Sequence, residues 1–284
     1  MAVTHLIASG NDTQLATETW GSPTRGTVLL VMGATASMLW WPQSLMQALA
    51  EAGYQVIRFD HRDTGQSTTL PPGEGNYDLF DLVEDVLAIL DARGVEQAHL
   101  VGMSLGGLIG QMVALQHPER LLSLTLIASE PLNLAYAGEG IGPDFMAHFG
   151  TMTDLDWSDD RAVSDFLLRI AELSAGSAVA FDAPAARQRI EAEIARTDSM
   201  QSAFNHSTIG GDTAGLDLGK LALPVLVIHG SEDPIISVNA GRALAEAVPD
   251  AALMVLDRRG HELLEQDVPA IAEAIRALAE RTAR

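Results

Sequence analysis

Six apolar runs of strand length recur along this chain: TVLLVM (27–32), YQVIRF (54–59), AHLVG (98–102), LTLIAS (124–129), PVLVIHG (224–230) and AALMVLD (251–257). A half-exposed strand alternates polar with apolar residues, whereas a strand covered on both faces stays apolar along its length. The runs therefore predict strands buried on both faces. Helical stripes lie between them. Leu79, Leu82, Val83, Val86, Leu87 and Leu90 share one face over 78–92. A second stripe covers 105–117 and stops at Pro118, and a third covers 263–280. Near the start, VTHLIAS (3–9) and QLATETW (14–20) predict an antiparallel pair turning over 10–12. This alternation selects a doubly wound, mostly parallel α/β sheet.

One interval breaks the pattern. From Pro131 to Leu223 no buried strand is legible, and helical stretches are expected near 143–150, 159–174, 184–197 and 198–208. So long an interval is no plain crossover. It reads as a helical cap, residues 131–222, inserted into a core made of 1–130 and 223–284.

Composition narrows the chemistry. Seventeen basic against 38 acidic residues give a formal charge of −21, which repels polyanions, so neither nucleic acid nor a membrane is an expected partner. Lys220 is the only lysine, which argues against Schiff-base and Walker-type chemistry. The absence of cysteine removes disulfides, thiolate nucleophiles and thiolate metal sites. No signal-peptide pattern and no long apolar span is present, so a cytoplasmic enzyme or binding protein is the expectation, and neither metal nor cofactor is expected. The oligomeric state has no signal in the sequence.

A serine stands where strand 98–102 meets the helix at 105, in Gly102-Met103-Ser104-Leu105-Gly106. Ligands of open parallel sheets bind beyond the carboxyl ends of the strands. A tight strand-to-helix turn there exposes a hydroxyl, and its flanking glycines avoid clashes. A serine nucleophile needs a base. His261 follows the last run and is favoured, with His61 in DHRDTGQS as competitor. The base in turn needs an acid to fix its tautomer. Asp233 in HGSEDP is the leading choice, with Glu130 and Glu232 as alternatives. Two oxyanion donors are expected, the backbone N–H groups of Leu105 and of Ala34 in MGATAS, where Gly33 lets the loop turn.

Together, GMSLGG, FDHRDTGQS, HGSEDP and GHELLEQDVP stand in the order found in the α/β-hydrolase superfamily, which this chain resembles from about residue 20 onward. The VMG and DHRDTGQS stretches resemble those of the methylesterases of anthracycline biosynthesis, the aclacinomycin methylesterase-like group. That resemblance implies an α/β-hydrolase fold with a cap and a triad of Ser104, Asp233 and His261. It also implies a cofactor-free serine esterase for a small-molecule carboxylic ester, such as the methyl ester of a bulky hydrophobic acid. The same triad serves C–C bond hydrolysis, lactone opening and perhydrolysis. A non-catalytic binding protein on this fold is the alternative of a different class.

Relatives often carry His where this chain has Met32, and Gly where it has Asp63. Asp63 is expected to form a structural ion pair with Arg62 or Arg58. Gly33, Met103 and the pair Trp40-Trp41 are expected to shape the substrate pocket, with Met38, Phe145 and Met146 adding apolar surface.

Overall fold

A computed structural model describes residues 4–138 and 140–282 of the chain. Its centre is one eight-stranded sheet. The strands are β1 (His5–Ala8), β2 (Gln14–Trp20), β3 (Thr27–Val31), β4 (Gln55–Phe59), β5 (Ala98–Met103), β6 (Leu121–Ile127), β7 (Val225–Gly230) and β8 (Ala252–Leu256). They lie in the order β1-β2-β4-β3-β5-β6-β7-β8. β1 and β2 form the expected antiparallel pair and β2 runs antiparallel to β4. Val3, part of the first expected strand, lies outside the described residues. From β4 to β8 every pairing is parallel.

Successive residues of β3 feed opposite faces. Leu29 and Val31 enter a core layer with α2 (Leu79–Ala92) and α3 (Leu105–Gln116). Val28 and Leu30 enter a second layer with α1 (Gln43–Glu51) and α8 (Val268–Glu280). Every residue of β3 is buried, as two covered faces require. α2 begins where Asp78 and Asp81 cap each other's backbone N–H groups.

The last strand departs from expectation. β8 is an edge strand, and Leu253 and Val255 are 38% and 41% exposed. Only its alternate residues, Met254 and Leu256, pack against the layer that holds α1 and α8. Its unbroken apolarity predicted two covered faces, and the structure covers one.

Between β6 and β7 lie α4 (Pro143–Gly150), α5 (Asp160–Ser174) and α6 (Ala183–Ile194), followed by a 3-10 helix at Ser202–Thr208. α7 (Val238–Ala247) connects β7 to β8. Among the described residues no helix is long and apolar enough to cross a membrane.

Candidate active site

The predicted residues gather beyond the carboxyl ends of β3, β5, β7 and β8, around a cavity of about 650 Å³. Ser104 sits between β5 and α3 at φ 50° and ψ −117°, a conformation that a non-glycine residue holds only when its surroundings impose it. The surroundings are backbone. A side chain on Gly102 would come within 2.2 Å of the Gly106 carbonyl oxygen, and one on Gly106 within 2.0 Å of that of Val31. The turn can therefore lie against β3 only if both positions lack a Cβ. Among the described residues the Ser104 hydroxyl makes no hydrogen bond to protein, and it opens into the cavity.

His261 lines the same cavity. Its Nδ1 lies 2.7 Å from Asp233 Oδ2, which fixes the Nδ1–H tautomer and turns Nε2 away from the acid. The loop after β7 locks Asp233 itself, because Oδ1 accepts the Ile235 and Ile236 N–H groups at 2.9 and 2.8 Å. Burial pushes this carboxyl up. The neighbouring imidazoles of His229 and His261, the second hydrogen-bonded to it, are joined by the Ile236 N–H; together they outweigh burial and hold it well below the usual carboxylate range. His261 is anchored through its own N–H to the Ser174 carbonyl at the end of α5.

The competitors are spent elsewhere. His61 is fully buried and its Nε2 donates to the Met32 carbonyl at 2.9 Å. Glu130 accepts from the Tyr136 hydroxyl, and Glu232 from the Ser177 N–H and hydroxyl. Neither acid reaches His261.

The two N–H groups expected to face an oxyanion, those of Ala34 and Leu105, donate to no protein acceptor among the described residues. Three of the amides that follow Ala34 are occupied. Thr35 N–H donates to His206 Nδ1 at 3.0 Å, Ser37 N–H to Glu193 at 2.6 Å, and Met38 N–H to Asp60 at 2.8 Å. Asp60 is further paired with Arg196 at 2.9 Å. Burial, reinforced by neighbouring His61, pushes His206 down to about 3, so it is neutral at pH 7. It accepts at Nδ1 and donates at Nε2 to the Arg62 carbonyl. The loop carrying Ala34 is thus held from behind by Glu193 of α6, by Asp60 with its partner Arg196, and by His206 of the 3-10 helix. Gly33 faces the serine, and a side chain there would stand 3.2 Å from Ser104 Cβ.

Several sequence expectations need correction. Trp40 and Met103 line the cavity, but Trp41 does not. The 3-10 helix at Met38–Trp40 ends between the two tryptophans, and Trp41 turns into the core beside Leu45 and Leu49. Met38 is fully buried and Met146 points outward, so of the added apolar residues only Phe145 reaches the cavity. Asp63 forms an ion pair with neither arginine. Arg62 pairs with Asp85 and Arg58 with Glu18. Asp63 instead accepts from the Leu70 N–H, the Tyr77 hydroxyl and Asn205 Nδ2. Its φ of 67° is left-handed, where Gly fits readily and Asp is tolerated. Among the described residues no group of three or more metal-ligating side chains is assembled. A more open groove of about 710 Å³, which includes Lys220 and Arg281, holds none of the predicted site residues.

Residues 26–268 match the alpha/beta hydrolase fold family. The chain belongs to that family. This hydrolase is 33% identical over 270 residues to the rhodomycin D methylesterase DauP of Streptomyces sp. (strain C5), covering 89% of this chain and 90% of that one. It is 30% identical over 273 residues to the rhodomycin D methylesterase DnrP of Streptomyces peucetius, covering 90% and 92%. The esterase RhEst1 from Rhodococcus sp. ECU1013 shares its fold with a TM-score of 0.79 at 22% identity, over 98% of each chain.

Sequence reasoning missed the contacts that hold the site. His229 makes one of them. Its Nε2 donates to the Ile236 carbonyl and lies 3.5 Å from Asp233 Oδ2, and its spacing of four from Asp233 was the available signal. Glu193, Arg196 and His206 had no local signal, because their partners lie far away in sequence.

Proposed function

We propose that this chain is a cofactor-independent serine esterase that cleaves a small-molecule carboxylic ester through an acyl-enzyme. The observation that carries the reading is the strained Ser104 sharing one cavity wall with a histidine already oriented by a buried, ionised Asp233. Ser104 Oγ attacks the ester carbonyl while His261 Nε2 takes its proton, and Asp233 stabilises the imidazolium. The negative oxygen is received by the N–H groups of Ala34 and Leu105, the second at the N-terminus of α3. His261 returns the proton to the departing alcohol. It then draws a proton from water, whose oxygen attacks the acyl carbon and frees the acid.

The acyl side is apolar and large. Phe145, Phe149, Ile170, Phe181 and Leu263 line a cavity sized for a polycyclic or long-chain acid. Similarity to the two methylesterases supports a methyl ester as the reacting group. In this reading residues 131–222 are the cap that supplies most of the cavity's apolar lining. The test is Ser104→Ala. It should keep the fold, lose turnover of a p-nitrophenyl ester and lose labelling by a fluorophosphonate. A variant that turns over at near wild-type rate refutes the assignment.

A further inference from the structure

We propose that Arg189 receives an anionic group of the substrate, so that this enzyme favours half-acid esters, with the reacting ester at one end and a carboxylate at the other. The inference deepens the esterase reading and rests on it. Arg189 lies in α6 and lines the cavity that holds Ser104 and His261. Its guanidinium carbon is 5.1 Å from the centroid of a Trp40 ring. Trp40 is itself fixed, since its Nε1–H donates to Glu193, one helical turn beyond Arg189, at 2.7 Å. The indole thus holds the guanidinium by its flat face and leaves the N–H edge free.

That edge has no protein partner. Among the described residues Arg189 makes no ion pair, and its guanidinium donates no hydrogen bond to protein. Its nitrogens are nonetheless not sealed in the interior, so they remain accessible to whatever fills the cavity. Three carboxylates share the lining and each is committed elsewhere. Asp182 caps α6 through the Ala185 N–H, Glu262 accepts the Gly176 N–H, and Glu265 accepts from the Ser44 hydroxyl. Burial lowers the pKa of Arg189, but an arginine keeps its proton at any working pH. A half-buried cation with unused donors has lost part of its hydration, and the carboxylates nearest it, Glu265 and Glu193, act on it through space without a direct hydrogen bond. A carboxylate answers both needs through two parallel N–H···O bonds. The overall charge of −21 repels anions at a distance, so the preference must arise from this contact within the cavity.

The experiment compares kcat/KM for monomethyl esters of linear dicarboxylic acids of increasing length with methyl esters of the matching monocarboxylic acids. The wild type should favour the half-acid ester at one or more lengths by roughly tenfold to a hundredfold, mainly through KM. Arg189→Gln should lose that preference and stay within about twofold on the neutral ester. Arg189→Lys, which keeps the charge without the fork, should retain part of it. Equal use of both series at every length overturns the proposal while leaving the esterase reading standing. So does an equal loss on both series in Arg189→Gln, which assigns Arg189 to supporting Trp40. Absence of turnover on every ester, with no fluorophosphonate labelling, overturns the esterase reading and this proposal with it.

Discussion

Asp233→Asn removes one charge and leaves the size of the side chain unchanged, yet the geometry predicts a large effect. The Ile235 and Ile236 N–H groups both point at one side-chain oxygen, so an asparagine must present its own oxygen to them. Its NH₂ group then occupies the place of Oδ2, 2.7 Å from His261 Nδ1. Two donors cannot face each other, so Nδ1 gives up its hydrogen and becomes an acceptor. The proton moves to Nε2, where the Ser104 proton has to be received. A histidine held in the wrong tautomer costs about 10⁴ in kcat, roughly 5.5 kcal/mol of transition-state stabilisation. Steady-state turnover of a p-nitrophenyl ester measures this directly, and circular dichroism with a thermal melt confirms that the fold persists. Asp233→Ala is the contrast. It does not impose the wrong tautomer, but it strips both loop N–H groups of their acceptor and should lower the melting temperature more. A folded Asp233→Asn protein losing less than about a hundredfold in kcat refutes the reasoning.

Other perturbations follow from contacts already described. Asp85 is fully buried and accepts from Arg62 at 2.6 and 2.8 Å and from the Ser9 hydroxyl at 2.5 Å. Asp85→Ala leaves the Arg62 charge unpaired and should cost about 3–5 kcal/mol, read as a melting temperature lowered by roughly 10 °C. His206→Leu removes the acceptor for the Thr35 N–H, next to Ala34, and should lower kcat roughly tenfold with KM little changed. His206→Asn keeps an acceptor near the place of Nδ1 and should recover most of that loss; equal losses in the two variants refute the role. The same histidine is held neutral down to about pH 3 when folded, so between pH 6.5 and 3 the unfolded chain binds the extra proton. Its stabilising contribution is therefore complete above pH 6.5 and is lost as pH falls toward 3, by up to about 1.4 kcal/mol per pH unit. Denaturant titrations across that range should show a shallower slope in His206→Asn.

The parts legible in the sequence share one physical property: each depends on neighbours in the chain. Burial on two faces writes continuous apolarity into β3 to β7, and a strand-to-helix turn writes its glycines around Ser104. Asp233 and His261 follow the ends of β7 and β8, so locating those strands located the side chains. β8 misled because apolarity records what a residue tolerates, and an edge leaves one side open. α1 and α7 were not singled out: at nine and ten residues, each is too short to repeat its apolar stripe often. The adjacent tryptophans could not be told apart because the backbone turn that parts them depends on Trp40 reaching Glu193, 153 residues away. Asp63 likewise offered two arginines nearby in sequence, while one of its true partners, Asn205, is 142 residues distant.

The tethers on the loop at 35–38 bear on how such a chain can acquire new substrates. Glu193, Arg196 and His206 belong to the segment that lines the cavity, and they also support the loop that carries the Ala34 N–H. A graft that swapped this segment for a relative's would import a different pocket and discard three struts of the reaction centre in one step. Diversification by exchange is therefore confined to grafts that bring a carboxylate, a guanidinium and a neutral imidazole back to the same places. Substitution at single lining positions such as Phe145, Ile170 or Phe181 changes the pocket without touching those struts.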